Sequence, residues 1–137
     1  MSTLPSADPR PDLDTREFWE ATREGRLLLR RCRDCATVIW YPRPICPKCR
    51  GGDTEWFEAS GRGSVYSYTL VHRSSGPWRE AVPYFVAYVE LEEGPRVLTN
   101  LVDTDPARVE IGMPVVLRFD STEGGPEIGR ASCRERV

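Results

Sequence analysis

Histidine occurs once in these 137 residues, and no apolar run approaches the roughly 20 residues that a membrane-crossing helix needs. The opening "MSTLPSADPRPDLD" has neither the basic nor the apolar segment of a secretory leader. Both gaps point to a soluble protein, and we expect a cytoplasmic one. An excess of base is missing too: 19 Lys and Arg stand against 21 Asp and Glu, a formal net charge of −2. A general nucleic-acid binder carries a basic surplus. The glycine-rich "GRGSVYS" lacks the GKS/T ending of a phosphate loop and the GxSxG register of a nucleophile elbow. The lone His72 has no uncommitted cysteine to activate except Cys133, because the other four fall in a metal-type motif. On a β-strand a single histidine is most simply a satisfied structural group. Catalysis by this chain alone is not expected.

What the chain does hold is paired cysteine. Cys32/Cys35 and Cys46/Cys49 form CxxC-x10-CxxC, a spacing at which two tight turns each present two thiolates to one tetrahedral ion. A redox motif needs a single CxxC at the start of a helix, and Pro42, Pro44 and Pro47 leave no room for that helix. A disulfide pair suits an oxidising compartment, not the cytoplasm. The spacing therefore predicts one zinc per chain on Cys32, Cys35, Cys46 and Cys49. Four thiolates fill the zinc shell and leave no place for water or substrate, so the site is structural. Such a site contributes on the order of 10 kcal/mol to a module with too few apolar residues to fold alone. Between the pairs, "TVIWYP" reads as a ribbon strand, with Val38, Trp40 or Tyr41 packing near the cluster.

Around this motif the pattern is legible in pieces. "DTREFWEATREG" reads as a short helix with Asp14 as N-cap, Glu17 three residues on and Gly25 as the stop. Phe18, Trp19 and Thr22 share one face. A helix of about ten residues is marginal alone and needs a surface to pack on. "RLLLRRC" reads as a strand entering the first zinc turn. Between Arg26 and Arg50, seven basic residues face one acid, Asp34, a local +6 that is either a solvated face or a site for an anion. Beyond "RGGD" the period becomes two. Five β-rich runs, "TEWFEA", "SVYSYTLVHR", "PYFVAYVELE", "RVLTNLVD" and "MPVVLRFD", predict a five-stranded OB-fold barrel, with Gly61 and Gly63 at a sharp bend or bulge. The last eleven residues, "EIGRASCRERV", leave that pattern and match the translation of a commonly used sequencing adapter. We expect 127–137 to be a non-native tail in which Cys133 has no role. The fold class is thus mainly β: tail and helix in 1–29, zinc ribbon in 30–53, OB-fold in 54–126.

Taken together, "FWEATREGRLLLRRCRDCATVIWYPRPICPKC", "GRGSVYSYTLVHR", "PYFVAYVELEEGPRVLTNLVD" and "IGMPVVLRF" resemble the DUF35 family, over residues of about 12 to 120. The resemblance implies a rubredoxin-like ribbon joined to an OB-fold, with all four cysteines at the family's metal positions. It also implies a non-catalytic accessory subunit that helps form an acyl-CoA site on a thiolase-like, aldolase or hydratase partner in lipid, steroid or aromatic metabolism. Coenzyme A calls for a few cations and an apolar wall. Arg43 is the first candidate, with Arg31 and Lys48 as alternates and Trp40 in the wall, although core packing is the preferred account of Trp40. Phe18 and Trp19 are candidates for docking the partner; the competing account is that they cap the chain's own ribbon. The alternative function is single-stranded nucleic-acid binding by the barrel, with Tyr66, Tyr68, Tyr84, Phe85 and Tyr88 as stacking faces. Ordinary strand packing explains the same tyrosines, and six arginines against ten acids between Thr54 and Asp120 suit phosphate poorly.

Overall fold

A computed structural model describes residues 4–122 and 128–132 of the chain. The helix α1 spans Arg16–Thr22 and buries Phe18, Ala21 and Thr22. Its N-terminus differs from the expected cap. Thr15, not Asp14, is the N-cap, without a side-chain cap bond, and it is held from the preceding turn by Asp12, whose carboxylate accepts from the Thr15 amide at 3.0 Å and the Thr15 hydroxyl at 2.9 Å. The Thr15 hydroxyl, with neighbouring amides, holds the Asp12 carboxyl below its ordinary value. Gly25 is the stop, as expected: its φ of 73° lets its amide reach Thr22 O and the Arg26 amide reach Ala21 O.

Three antiparallel strands form the ribbon sheet in the order β2-β1-β3, with β1 at Leu28–Cys32, β2 at Val38–Ile39 and β3 at Thr54–Glu58. Register assigns its two faces different tasks. Arg30 lies opposite Ile39 and Trp56, on the face where Ile39 packs with Cys32 and Cys46. Leu29 lies opposite Phe57 on the other face, and Leu29, Val38, Trp40 and Phe57 join the core of the following domain. The expected packing of Val38 near the cysteines is therefore corrected, as is that alternative for Trp40, whose preferred reading as a core residue holds. Strand alternation sends them away from the metal side and sends Ile39, 1% exposed, towards it.

The second sheet runs in the order β6-β5-β4-β8-β9-β7. Its strands are β4 at Arg62–Val71, β5 at Tyr84–Leu91, β6 at Arg96–Thr99, β7 at Leu101–Val102, β8 at Pro114–Asp120 and β9 at Ile128–Ser132. Along β5, Phe85, Ala87, Val89 and Leu91 are buried while Tyr88 faces solvent, the alternation of a sheet with one wet face. Each such large apolar side chain stabilises by roughly 1.5–3 kcal/mol. Gly63 is required by closeness: a Cβ there would lie 2.5 Å from Glu90 O. The register shift in β4 falls between Val65 and Ser67, at Tyr66 and not at the glycines.

The fold is mainly β and OB-like, as expected, although its sheets are not closed into a barrel. "TEWFEA" pairs with β1 and becomes β3 of the ribbon sheet, across the expected boundary at residue 54. "RVLTNLVD" divides at Asn100 into β6, which pairs β5, and β7, which pairs β9. The hydrogen-bonded order thus ends at β6 and β7 and does not close. Asn100 spans the break, its Nδ2 donating to Phe85 O at 2.9 Å and its carbonyl accepting from the Ala131 amide at 3.0 Å. Ile128–Ser132, within the stretch read as leaving the pattern, forms β9 between β8 and β7. Cys133 lies outside the described residues. No helix among the described residues is long and apolar enough to cross a membrane.

Candidate metal centre and the cations around it

Two turns of the same construction carry the four cysteines. In the first, the Ala36 amide donates to Cys32 O and the Cys32 amide to Thr37 O; in the second, the Arg50 amide donates to Cys46 O and the Cys46 amide to Gly51 O, each at 2.9 Å. The residue after each CxxC, Ala36 or Arg50, is left-handed, with φ of 63° and 65°. That twist folds each pair back so that both sulfurs face one point. Gly51 makes the close approach possible, since a Cβ there would lie 2.5 Å from Asp34 Oδ2 and 3.3 Å from Cys49 Sγ.

All four Sγ atoms lie within 4.8 Å of one another, with Cys32 to Cys49 at 3.5 Å and Cys35 to Cys46 at 3.6 Å. A zinc ion with Zn–S bonds of ~2.3 Å has sulfurs about 3.8 Å apart in a tetrahedron. The residues present fit that ion. Their acidities point the same way. The Thr37 hydroxyl and amide lower the Cys35 thiol to about 6. Cys49 accepts from the Gly51 amide, which favours its thiolate, yet the sulfurs of Cys32 and Cys35 raise it to about 12. Four sulfurs this close cannot all be ionised without a cation among them. Cys32 and Cys46 are buried, Cys35 is half-buried and Cys49 is exposed at the rim.

Of the other predicted residues, Arg43 sits exposed on the segment leading into the second turn and Lys48 exposed on the turn itself, and no ion pair engages either among the described residues. The sequence reading passed over Arg50 on the same turn, also exposed and without a carboxylate partner among those residues. Its signal was its position directly after the second CxxC. Arg31 differs, because its guanidinium lies 4.1 Å from the Phe57 ring centroid on the OB-facing side of the ribbon. Arg30 is 4.6 Å over Trp56, and Arg33 pairs with Asp53 and Glu55. Phe18 is 5% exposed, edge-on to Trp19 at 4.9 Å and to Trp40 at 5.5 Å; Trp19 is half-buried. The chain thus brings both docking candidates and Trp40 into one aromatic cluster with Tyr41. His72, expected as a satisfied structural group, is exposed just beyond β4. Tyr66, Tyr68 and Tyr88 are exposed, but Arg96 stacks over Tyr66 at 3.8 Å while pairing with Glu90. The Tyr68 hydroxyl donates to Val109 O at 3.2 Å.

Residues 19–55 match the family described as ChsH2, rubredoxin-like zinc ribbon domain, and residues 56–120 match ChsH2, C-terminal OB-fold domain. The chain is 47% identical over 122 residues to a protein of Thermomonospora curvata named probable enoyl-CoA hydratase alpha subunit. That match takes in 88% of this chain and 37% of the relative, so the chain spans little more than a third of that relative's length. A DUF35 domain-containing scaffold protein of Methanocaldococcus jannaschii is 41% identical over 103 residues, 74% of this chain and 73% of its own. Among solved structures, one described as an Ltp2-ChsH2(DUF35) aldolase superposes with a TM-score of 0.79 at 40% identity, covering 91% of this chain and 98% of that one.

Proposed function

The chain belongs to the DUF35 family of zinc-ribbon OB-fold proteins, and on that premise we propose that it is a non-catalytic accessory subunit that assembles with a thiolase-like, aldolase or hydratase partner. The names of its relatives support the partner class, and the chain's own residues support the division of labour. A structural zinc site with all four positions taken by sulfur offers no open coordination position. His72 stands exposed with no described thiol beside it. The partner then holds the reacting groups, and this chain supplies binding surface. The observation that carries the finer reading is the trio of Lys48 and Arg50 on the second cysteine turn and Arg43 on the segment leading into it, three exposed cations without carboxylate partners among the described residues. They match the 3'-phosphate and pyrophosphate of coenzyme A, and we assign them to the acyl-CoA of the shared site, with Trp40 and Tyr41 as adjoining apolar wall. Arg31, tied to Phe57, makes a lesser contribution. The zinc sulfurs, free of disulfides, suit the reducing cytoplasm in which we place the chain.

The test is affinity purification of the tagged chain from its native host. A thiolase-like, aldolase or hydratase subunit is expected at fixed stoichiometry, and Arg43→Ala with Lys48→Ala weakens CoA binding by that assembly about tenfold or more. A chain that purifies alone, or CoA affinity indifferent to both changes, overturns the proposal. The alternative, single-stranded nucleic-acid binding, is favoured by the exposed Tyr88. It predicts retention of short oligonucleotides at physiological salt that is lost on Tyr88→Ala.

A further inference from the structure

Between α1 and the turn after β2 on one side, and β5, β6 and β8 on the other, lies a cavity of about 240 Å³. Gly61, Gly63 and Gly129 border it, each packed closely against a neighbouring strand. At Gly63 no larger residue can intrude without striking Glu90 O. Val89, Val97 and Leu117 furnish aliphatic wall, and Phe18 and Trp40 furnish rings. The hydroxyls of Thr22 and Thr99 and the guanidinium of Arg130 are already engaged. Thr22 Oγ1 donates to Trp19 O at 2.6 Å and Thr99 Oγ1 to Gly129 O at 3.1 Å. Arg130 is tied to Asp120, Asn100 and Pro5 O. None of them is available to hold a polar ligand, and a buried polar group without a partner is disfavoured. Tyr41 and Leu98, 41% and 58% exposed, line the side reached from solvent.

We infer that this cavity binds a compact hydrocarbon group of about ten carbons, aromatic or alicyclic. The size follows by proportion from a ~150 Å³ apolar cavity, which takes one benzene and stays dry when empty. With Thr22, Thr99 and Arg130 engaged, the lining left to a ligand is mainly aliphatic and aromatic, which favours a hydrocarbon over an acid or alcohol. The cavity shares Trp40 and Tyr41 with the wall assigned to acyl-CoA but none of the three cations, so Arg43→Ala with Lys48→Ala tests the CoA assignment without touching the cavity.

Naphthalene is the probe, titrated into the full zinc-loaded chain and followed by tryptophan fluorescence and melting temperature. Saturable binding with a rise in melting temperature is expected, while 2,6-naphthalenedicarboxylate produces neither. Val97→Phe, which fills the space from β6, weakens naphthalene binding at least tenfold in a chain that retains its zinc. Should that variant not fold, Val115→Ile removes less space and produces a smaller loss. Ile111→Ser, on the exposed surface, leaves binding unchanged. The inference is overturned by the absence of saturable binding, by equal binding of the dicarboxylate, by binding indifferent to both filling variants, or by loss on Ile111→Ser.

Discussion

Cys46 and Cys49 occupy the same turn yet differ in enclosure, Cys46 fully buried and Cys49 exposed. Replacing Cys46 by serine removes a ligand and leaves a hydroxyl against Ile39 in the ribbon interior. Most of the ~10 kcal/mol or more that a structural zinc contributes is then lost. Metal analysis is expected to fall well below one zinc per chain, with a greater fall in denaturation midpoint for Cys46→Ser than for Cys49→Ser. Ala36 offers a change in the other direction. Its φ of 63° costs an L-residue about 1 kcal/mol, and its side chain is exposed. Ala36→Gly is expected to raise stability by roughly 0.5 kcal/mol in denaturant unfolding, after the extra entropy of the unfolded chain is counted. A loss larger than that would refute the left-handed role. All four ligands were readable in advance because tetrahedral geometry imposes a spacing on the chain. The side taken by Val38, Ile39 and Trp40 was not, because a two-residue strand is too short to display its period.

At the scale of elements, α1 was readable in its aromatic face and its glycine stop, and unreadable in its cap, where Asp14 and Thr15 are equally eligible by composition. Seven residues cannot sustain a helix by themselves, so its stability comes from Phe18 against Trp40 and Tyr41. Phe18→Ala is expected to cost about 3–5 kcal/mol of stability of the isolated chain. Trp19 is half-buried and is the better docking candidate of the two. In the docking account, Trp19→Ala abolishes assembly with the partner while the melting temperature of the isolated chain changes little. Full-affinity assembly after that change moves the interface elsewhere. The misassigned β3 has an equally physical cause: "TEWFEA" has the period of either sheet, and only its pairing with β1 decides between them.

For the whole molecule, the ribbon sheet carries two interiors, cysteines on one face and the OB core on the other. Leu29 is wholly buried in that core, and Val38, Trp40 and Phe57 pack on it. Chelating the metal is therefore expected to lower the melting temperature of the entire chain in one transition, followed by circular dichroism and tryptophan fluorescence together. Two separated transitions, with the second unmoved by chelator, would show the units to be independent. The shared interior also bears on how such proteins can be rebuilt. A ribbon excised at the edges of its cysteine motif is not an interchangeable cassette: grafted onto a different barrel, it would keep its grip on zinc yet arrive without a matching socket for Leu29, Val38, Trp40 and Phe57. Chimeras between relatives should then tolerate exchange of the cysteine turns far better than exchange of the three short strands beneath them.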